Sequence, residues 1–198
     1  MIRAMQELRI QQHFIDSADL HYQVSETLAK PIDAAVQALL ACVTGGGKVL
    51  VAGAGSAVTL AQYLSSLLVR GFERERPGLA ALTLGADPLW AATWPAEDAL
   101  ARQVHALGLS GDLLVLISAH GDEPALASAV RAAHEREMTV LAISRGTGGD
   151  LGRLLRETDV HVCVPHERAA RVREVKQLVL HCLCDGVDTQ LLGEQEPM

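Results

Sequence analysis

The stretch Val49-Leu50-Val51-Ala52-Gly53-Ala54-Gly55-Ser56-Ala57 decides how the chain is built. Its short apolar run suits a strand buried on both faces and is too short for a helix. Glycines 53 and 55 break the run, and helical spacing begins at Ala57. Strand, tight turn and helix together open a βαβ unit. The uncharged run continues to Val69, 21 residues in all, which is the length of a membrane span. Gly53, Gly55, Ser56, Thr59, Gln62, Tyr63, Ser65 and Ser66 interrupt it, so a buried strand and helix explain it better.

Working outward, apolar runs at Leu79–Leu84, Leu113–Ile117, Val140–Ile143 and Val160–Val164 read as further strands. Helical stretches lie between them, at about residues 57–70, 97–107, 123–137 and 150–156, and a last helix runs from near Glu167 to around Leu192. Strands rich in Val, Leu and Ile alternating with helices imply an α/β fold with a parallel sheet covered on both faces. Before the sheet, Met5, Leu8, Phe14, Ile15, Tyr22 and Leu28 form an imperfect apolar stripe. Pro31 suits the first turn of a second helix, which Gly45-Gly46-Gly47 stops. Residues 1–198 are expected to form one domain, with 1–45 as an N-terminal helical extension and 46–198 as the α/β core. The segment RGFERERP (Arg70–Pro77) mixes both charges and reads as a solvated connection.

The 198 residues are 49% hydrophobic, 21% charged and 3% aromatic, enough for a large core and too apolar for disorder. Seventeen Lys+Arg against 24 Asp+Glu leave a net charge of −7. An acidic chain makes a poor direct binder of DNA or RNA, and few aromatics argue against a base-stacking platform. The N-terminus is polar, with no signal-peptide core. Cys42, Cys163, Cys182 and Cys184 lack zinc or redox spacing and read as buried apolar residues in a reducing cytoplasm, with no membrane involved. Leu178–Cys184 is apolar nearly all round, so the last helix is expected to be buried on every side, by a second subunit or in the core of one.

In open α/β sheets, ligands sit beyond the carboxyl ends of the strands. Three loops stand there: Gly53-Ala54-Gly55-Ser56-Ala57, Ser118-Ala119-His120-Gly121-Asp122-Glu123, and Ser144-Arg145-Gly146-Thr147-Gly148-Gly149-Asp150. The first two enter helices, whose N-terminal N–H groups can hold a phosphate. The first fits neither a P-loop nor GxGxxG, so a plain tight turn explains it as well. Arg168, Arg171 and Arg173, among Glu167 and Glu174, could clamp a phosphate or form a salt-bridged face. Trp90 and Trp94 are expected to pack on one helix face.

These loops, with GGKVLVAGAGSA, FERERPGLAALTL, VHALGLSGDLLVLIS, AHEREMTVLAIS, the Gly148-Gly149 turn and RVREV…HCLCDGVDTQLL, resemble the sugar isomerase (SIS) domains of the phosphoheptose isomerase group. That group also includes the DnaA initiator-associating proteins, which the tail HCLCDGVDTQLL resembles most. The resemblance implies a three-layer SIS-type fold, a five-stranded parallel sheet in flavodoxin-like order, and a homotetramer with sites at subunit boundaries. It implies ligand-binding roles for Gly53, Gly55, Ser56, Ser118, His120 and Gly121 in the sugar-phosphate loops. It also suggests Leu191 and Leu192 as a partner-docking pair.

The isomerase positions themselves match poorly. The first loop is usually G-N-G-G-S, and Ala54 and Ala57 stand at its Asn and Ser positions. Tyr63 and Leu67 replace a metal-binding His and a Glu, Arg173 replaces a Gln, and only His181 survives. Trp94-Pro95 replaces an Asn-Asp pair. Asp122 and Glu123 stand where hydroxyls of an S-T-S-G-N-S loop bind phosphate, and should repel an anion unless a protonated His120 compensates. Isomerisation needs a base beside a carbonyl and an acid or metal for the enediolate. Leu67 supplies neither, and Arg173 repels a metal. On this reading there is no catalytic residue, no zinc and no other cofactor. The expected protein is a non-catalytic homotetramer that binds DnaA to promote replication initiation, touching no nucleic acid itself. The alternatives are a sedoheptulose 7-phosphate isomerase and a sugar-phosphate sensor without turnover.

Overall fold

The computed structural model describes residues 2–86 and 94–194. Helix α1 (Ile2–Thr44) precedes strand β1 (Val49–Gly53), a 3-10 turn (Gly55–Ala57) and α2 (Val58–Arg70). Then come β2 (Ala81–Thr83), α3 (Ala96–Leu107), β3 (Leu113–Ile117) and α4 (Pro124–Glu135). β4 (Thr139–Arg145), α5 (Gly149–Leu154), β5 (Val160–Val164) and α6 (Ala169–Leu192) complete the described chain.

The five strands are parallel, in the order β2-β1-β3-β4-β5. The expected flavodoxin-like order is therefore present, and its switch point lies between β1 and β3. Side chains alternate across the sheet with period two. Val49, Val51, Val115, Ile117, Leu141 and Ile143 face the layer of α1, α2 and α6. Leu50, Ala52, Leu114, Leu116, Val140 and Ala142 face α3, α4 and α5. A strand covered on both faces has to be apolar at every position, which is why β1 and β3 carry no polar side chain.

Three expectations change. The N-terminal region is one continuous helix that runs through Pro31, not two helices with Pro31 opening the second. By length and composition α1 could cross a membrane, yet from Leu20 onward it buries Leu20, Val24, Leu28, Val36 and Leu39 in the core. Its first half exposes Met5, Leu8, Phe14, Ile15 and Tyr22. The apolar face of α6 is covered within the same chain: Val179, Leu180, Leu183, Cys184 and Val187 join the core that α1 closes. Leu178, in the same stretch, stays 45% exposed, so this chain alone does not bury the helix on every side. The RGFERERP segment is not wholly solvated either. Arg76 is buried, donates to the Leu67 and Leu68 carbonyls, and pairs with buried Asp188 through Nε at 2.5 Å.

Contact between α1 and α6 depends on one small residue. A Cβ at Gly186 would lie 2.7 Å from Val36 Cγ2, so the two helices approach only because position 186 has no side chain. Substituting Gly186→Val should lower stability by about 1–3 kcal/mol through overpacking, read from urea unfolding. The smaller partner in Gly186→Val with Val36→Ala should recover part of that loss, whereas an unchanged midpoint in the single variant would refute close packing here.

Candidate functional site

Beyond the carboxyl ends of β1, β3 and β4, three loops meet at the switch point. Ala54 N–H donates to the Ile117 carbonyl (3.2 Å), tying the first loop to the end of β3. Gly53 is required there, because a Cβ would lie 2.5 Å from the Ala57 carbonyl oxygen. Gly55 turns at φ +56°. Ser56 is exposed, and its carbonyl accepts from Arg173.

The second loop is built around one carboxylate. Glu123 Oε1 accepts from Ala119 N–H (2.7 Å) and His120 N–H (2.7 Å). Its Oε2 accepts from the Ser118 hydroxyl (2.6 Å) and Gly121 N–H (3.1 Å). Ser118 is fully buried, and its Oγ also accepts from Gly121 N–H (2.5 Å). Burial opposes the charge on Glu123, but the Ser118 hydroxyl and the His120 and Gly121 N–H groups outweigh it and hold the pKa below the ordinary glutamate value. Asp122 Oδ1 accepts from Asp150 N–H (3.0 Å) at the start of α5. The two acidic residues expected to repel an anion are thus both engaged by backbone donors.

Two cations frame this loop. Lys176 reaches in from α6, is 3% exposed, and donates from Nζ to the Ser118 carbonyl at 2.5 Å. Burial is the main influence on its pKa, only partly offset by Glu123, and brings it down to about 8. Arg145, at the end of β4, donates to the Ala119 carbonyl (3.1 Å), to Glu167 (2.9 Å) and to His120 Nδ1 (3.0 Å). Because a guanidinium only donates, His120 Nδ1 must accept. The ring is therefore already engaged by Arg145.

Further along α2 and α6 lies a second cluster. Tyr63 Oη and His181 Nε2 are 3.0 Å apart, and Phe72 stacks on the imidazole at 5.1 Å between centroids. Leu67 is buried in the core. Arg173 binds the Ser56 carbonyl (2.5 Å) and Thr59 Oγ1 (2.6 Å), which pins the first loop. Its neighbours instead tie α6 to α1: Arg168 pairs with Asp16 (2.6 Å) and Arg171 donates to the His13 carbonyl (2.6 Å). Among the described residues no three His, Cys, Asp or Glu side chains converge. One imidazole bonded to a phenol, with a guanidinium farther along the helix, is a poor donor set for zinc. Leu191 and Leu192 are exposed and end α6. Trp94 lies under the Arg102 guanidinium, 3.6 Å from the ring centroid; Trp90 lies outside the described residues.

A sugar isomerase family model, the SIS domain, matches residues 12–145. The chain belongs to the SIS domain family. Within it, the chain is 52% identical to a phosphoheptose isomerase of Methylibium petroleiphilum, over 97% of this chain and 98% of that one. It is 43% identical to a phosphoheptose isomerase of Aromatoleum aromaticum, over 95% and 97%. The structure of a phosphoheptose isomerase from Francisella tularensis matches with a TM-score of 0.88 and 35% identity, over 93% and 98%. That of Neisseria gonorrhoeae matches at 0.86 and 33%, over 93% and 99%.

These matches overturn the expectation of a non-catalytic, DnaA-binding SIS domain. Relatives aligned over nearly the whole chain are isomerases by name. Replacement of family residues at Tyr63, Leu67 and Arg173, with His181 kept, does not outweigh similarity over nearly the whole chain. In the sequence Arg145 stands out only as a member of the third loop, and Lys176 does not stand out at all. A signal for Lys176 existed, because Val172, Val175, Val179, Leu180 and Leu183 mark the buried stripe of α6 and the lysine falls on it.

Lys176 gives this SIS domain a readable pH response. Burial penalises the protonated form, so the folded chain releases that proton near pH 8 and the unfolded chain near 10.5. Stability from this group should therefore rise as pH increases across that window. Lys176→Met should abolish the rise, worth roughly 3 kcal/mol, in urea unfolding at pH about 8 and about 10.5. Identical pH dependence in the two proteins would show that Lys176 is not buried as a cation.

Proposed function

We propose that the protein is a sugar-phosphate isomerase that interconverts aldose and ketose forms of a heptose phosphate. The observation that carries this reading is the Ser118–Gly121 loop, where three N–H groups and a hydroxyl converge on one oxyanion site. Such a turn at a helix N-terminus suits a phosphate ester. The names of the relatives point to the same substrate class.

Proton transfer falls to the Tyr63–His181 pair. A neutral imidazole can take the proton beside the substrate carbonyl, and the adjacent phenol can donate toward the developing enediolate oxygen. His181 lies five residues beyond Lys176 on α6, a rise of about 7.5 Å. A sugar phosphate anchored at the loop can bridge that separation and bring its carbonyl end to the pair. Arg173 ties the first loop and the start of α2 to α6. No step runs through a metal, since the donors around His181 do not suit one. Self-association into a homotetramer belongs to the same reading, supported by the apolar side chains that the first half of α1 exposes. So does a cytoplasmic location, supported by the four free cysteines.

The purified protein should convert sedoheptulose 7-phosphate without added zinc, followed by product chromatography. His181→Asn should reduce kcat by about 10²-fold or more, and Tyr63→Phe should reduce it less. Absence of turnover in the parent protein, or an unchanged kcat in His181→Asn, would sink the proposal.

A further inference from the structure

The loop read above as the phosphate seat is already filled. Every N–H from Ala119 to Gly121 and the Ser118 hydroxyl point at the Glu123 carboxylate, two donors to each oxygen. The seat is also built for more negative charge than one carboxylate carries. Lys176 is buried just behind it, and among the described residues its one hydrogen bond is to the Ser118 carbonyl, not to an acid. Arg145 closes the other side, bonded to the Ala119 carbonyl and to His120 and paired with Glu167. Four donors thus converge on the Glu123 carboxylate, with Lys176 behind it as the cation that, among the described residues, no acid binds directly.

We propose that Glu123 is a tethered stand-in for the substrate's phosphate, a plug that a phosphorylated ligand must displace. The inference rests on the isomerase reading for the identity of the ligand, but the plug itself is a property of the loop. Glu123 is the residue before Pro124, at the very start of α4, so its side chain can swing out by rotation about its own bonds while the helix stays in place. On leaving, it has somewhere to go. A cavity beside it, lined by Arg131 and Arg153 together with Glu97, Asp122 and Asp150, gives the side chain room. A phosphate entering the seat gains the same four donors, and Lys176 stands behind them to compensate its second charge. Glu123 is then a specificity-determining residue. It lowers affinity for every weak anion, because apparent affinity scales with the fraction of molecules whose seat is open, and admits ligands that bring further contacts along the cleft.

The test uses the full chain and two variants, Glu123→Ala and Glu123→Gln. Inorganic phosphate is titrated while the backbone amide signals of Ala119, His120 and Gly121 are followed by NMR. Glu123→Ala should bind phosphate about tenfold or more tightly than the parent, with shifts centred on those three amides. Glu123→Gln, which keeps the size and loses the charge, should show a smaller gain. Equal or weaker binding in either folded variant overturns the plug; if Glu123→Ala fails to fold, Glu123→Gln decides alone. Turnover of sedoheptulose 7-phosphate is measured separately. Tighter phosphate binding with no turnover in any protein upholds the plug and defeats the isomerase reading. Turnover in the parent with no fall in KM in Glu123→Ala does the reverse.

Discussion

Where β3 leaves the sheet between two apolar layers, the backbone donors of Ser118–Gly121 need an acceptor. An unpaired buried N–H costs about 1–3 kcal/mol; here Gly121 is buried, Ala119 half-buried and His120 exposed, beside the fully buried Ser118 hydroxyl. Glu123 meets all four with one side chain. The rest of the site follows from that arrangement. The Ser118 carbonyl is left pointing toward α6, where Lys176 takes it, and the Ala119 carbonyl faces β4, where Arg145 takes it.

The second constraint is the approach of α1 to α6. Gly186 allows the helices to touch, and their contact holds α6 against the sheet with Arg173, Lys176 and His181 along its length. Arg168 and Arg171 strengthen the same junction from the N-terminal end of α6. The long N-terminal helix, which reads as an appendage in the sequence, is therefore what positions one wall of the site. Its exposed first half and its buried second half have different work to do within one continuous element.

Much of the scaffold was legible from periodicity. Val49–Ala52, Leu113–Ile117 and Val160–Val164 are apolar runs too short for helices and bounded by turn residues, and each is a strand. Pro31 misled, because a proline within a well-packed helix costs a hydrogen bond that tertiary burial of Leu28, Val36 and Leu39 can offset. Arg76 misled for a similar reason: a charge in a mixed-charge run reads as solvated unless its partner, here Asp188, 112 residues away, is known. Asp122 and Glu123 were seen as liabilities for anion binding because residue type gives the sign of a charge but not the donors around it.

The sequence by itself determined the layered α/β scaffold, the sheet's buried character, the three loops at its carboxyl edge and the family to which they belong. These are properties of local pattern, where period two or 3.6 is written directly in residue order. Only the tertiary structure decided which way the loop chemistry runs. Whether Glu123 repels an anion or occupies an anion's place depends on N–H groups whose directions arise from a turn wedged between β3 and α4. Whether Lys176 is a surface charge or a buried cation depends on α6 being pressed to the sheet by a helix that begins more than 120 residues earlier. Such facts are set by side chains distant in the chain and adjacent in space, and no local spacing encodes them.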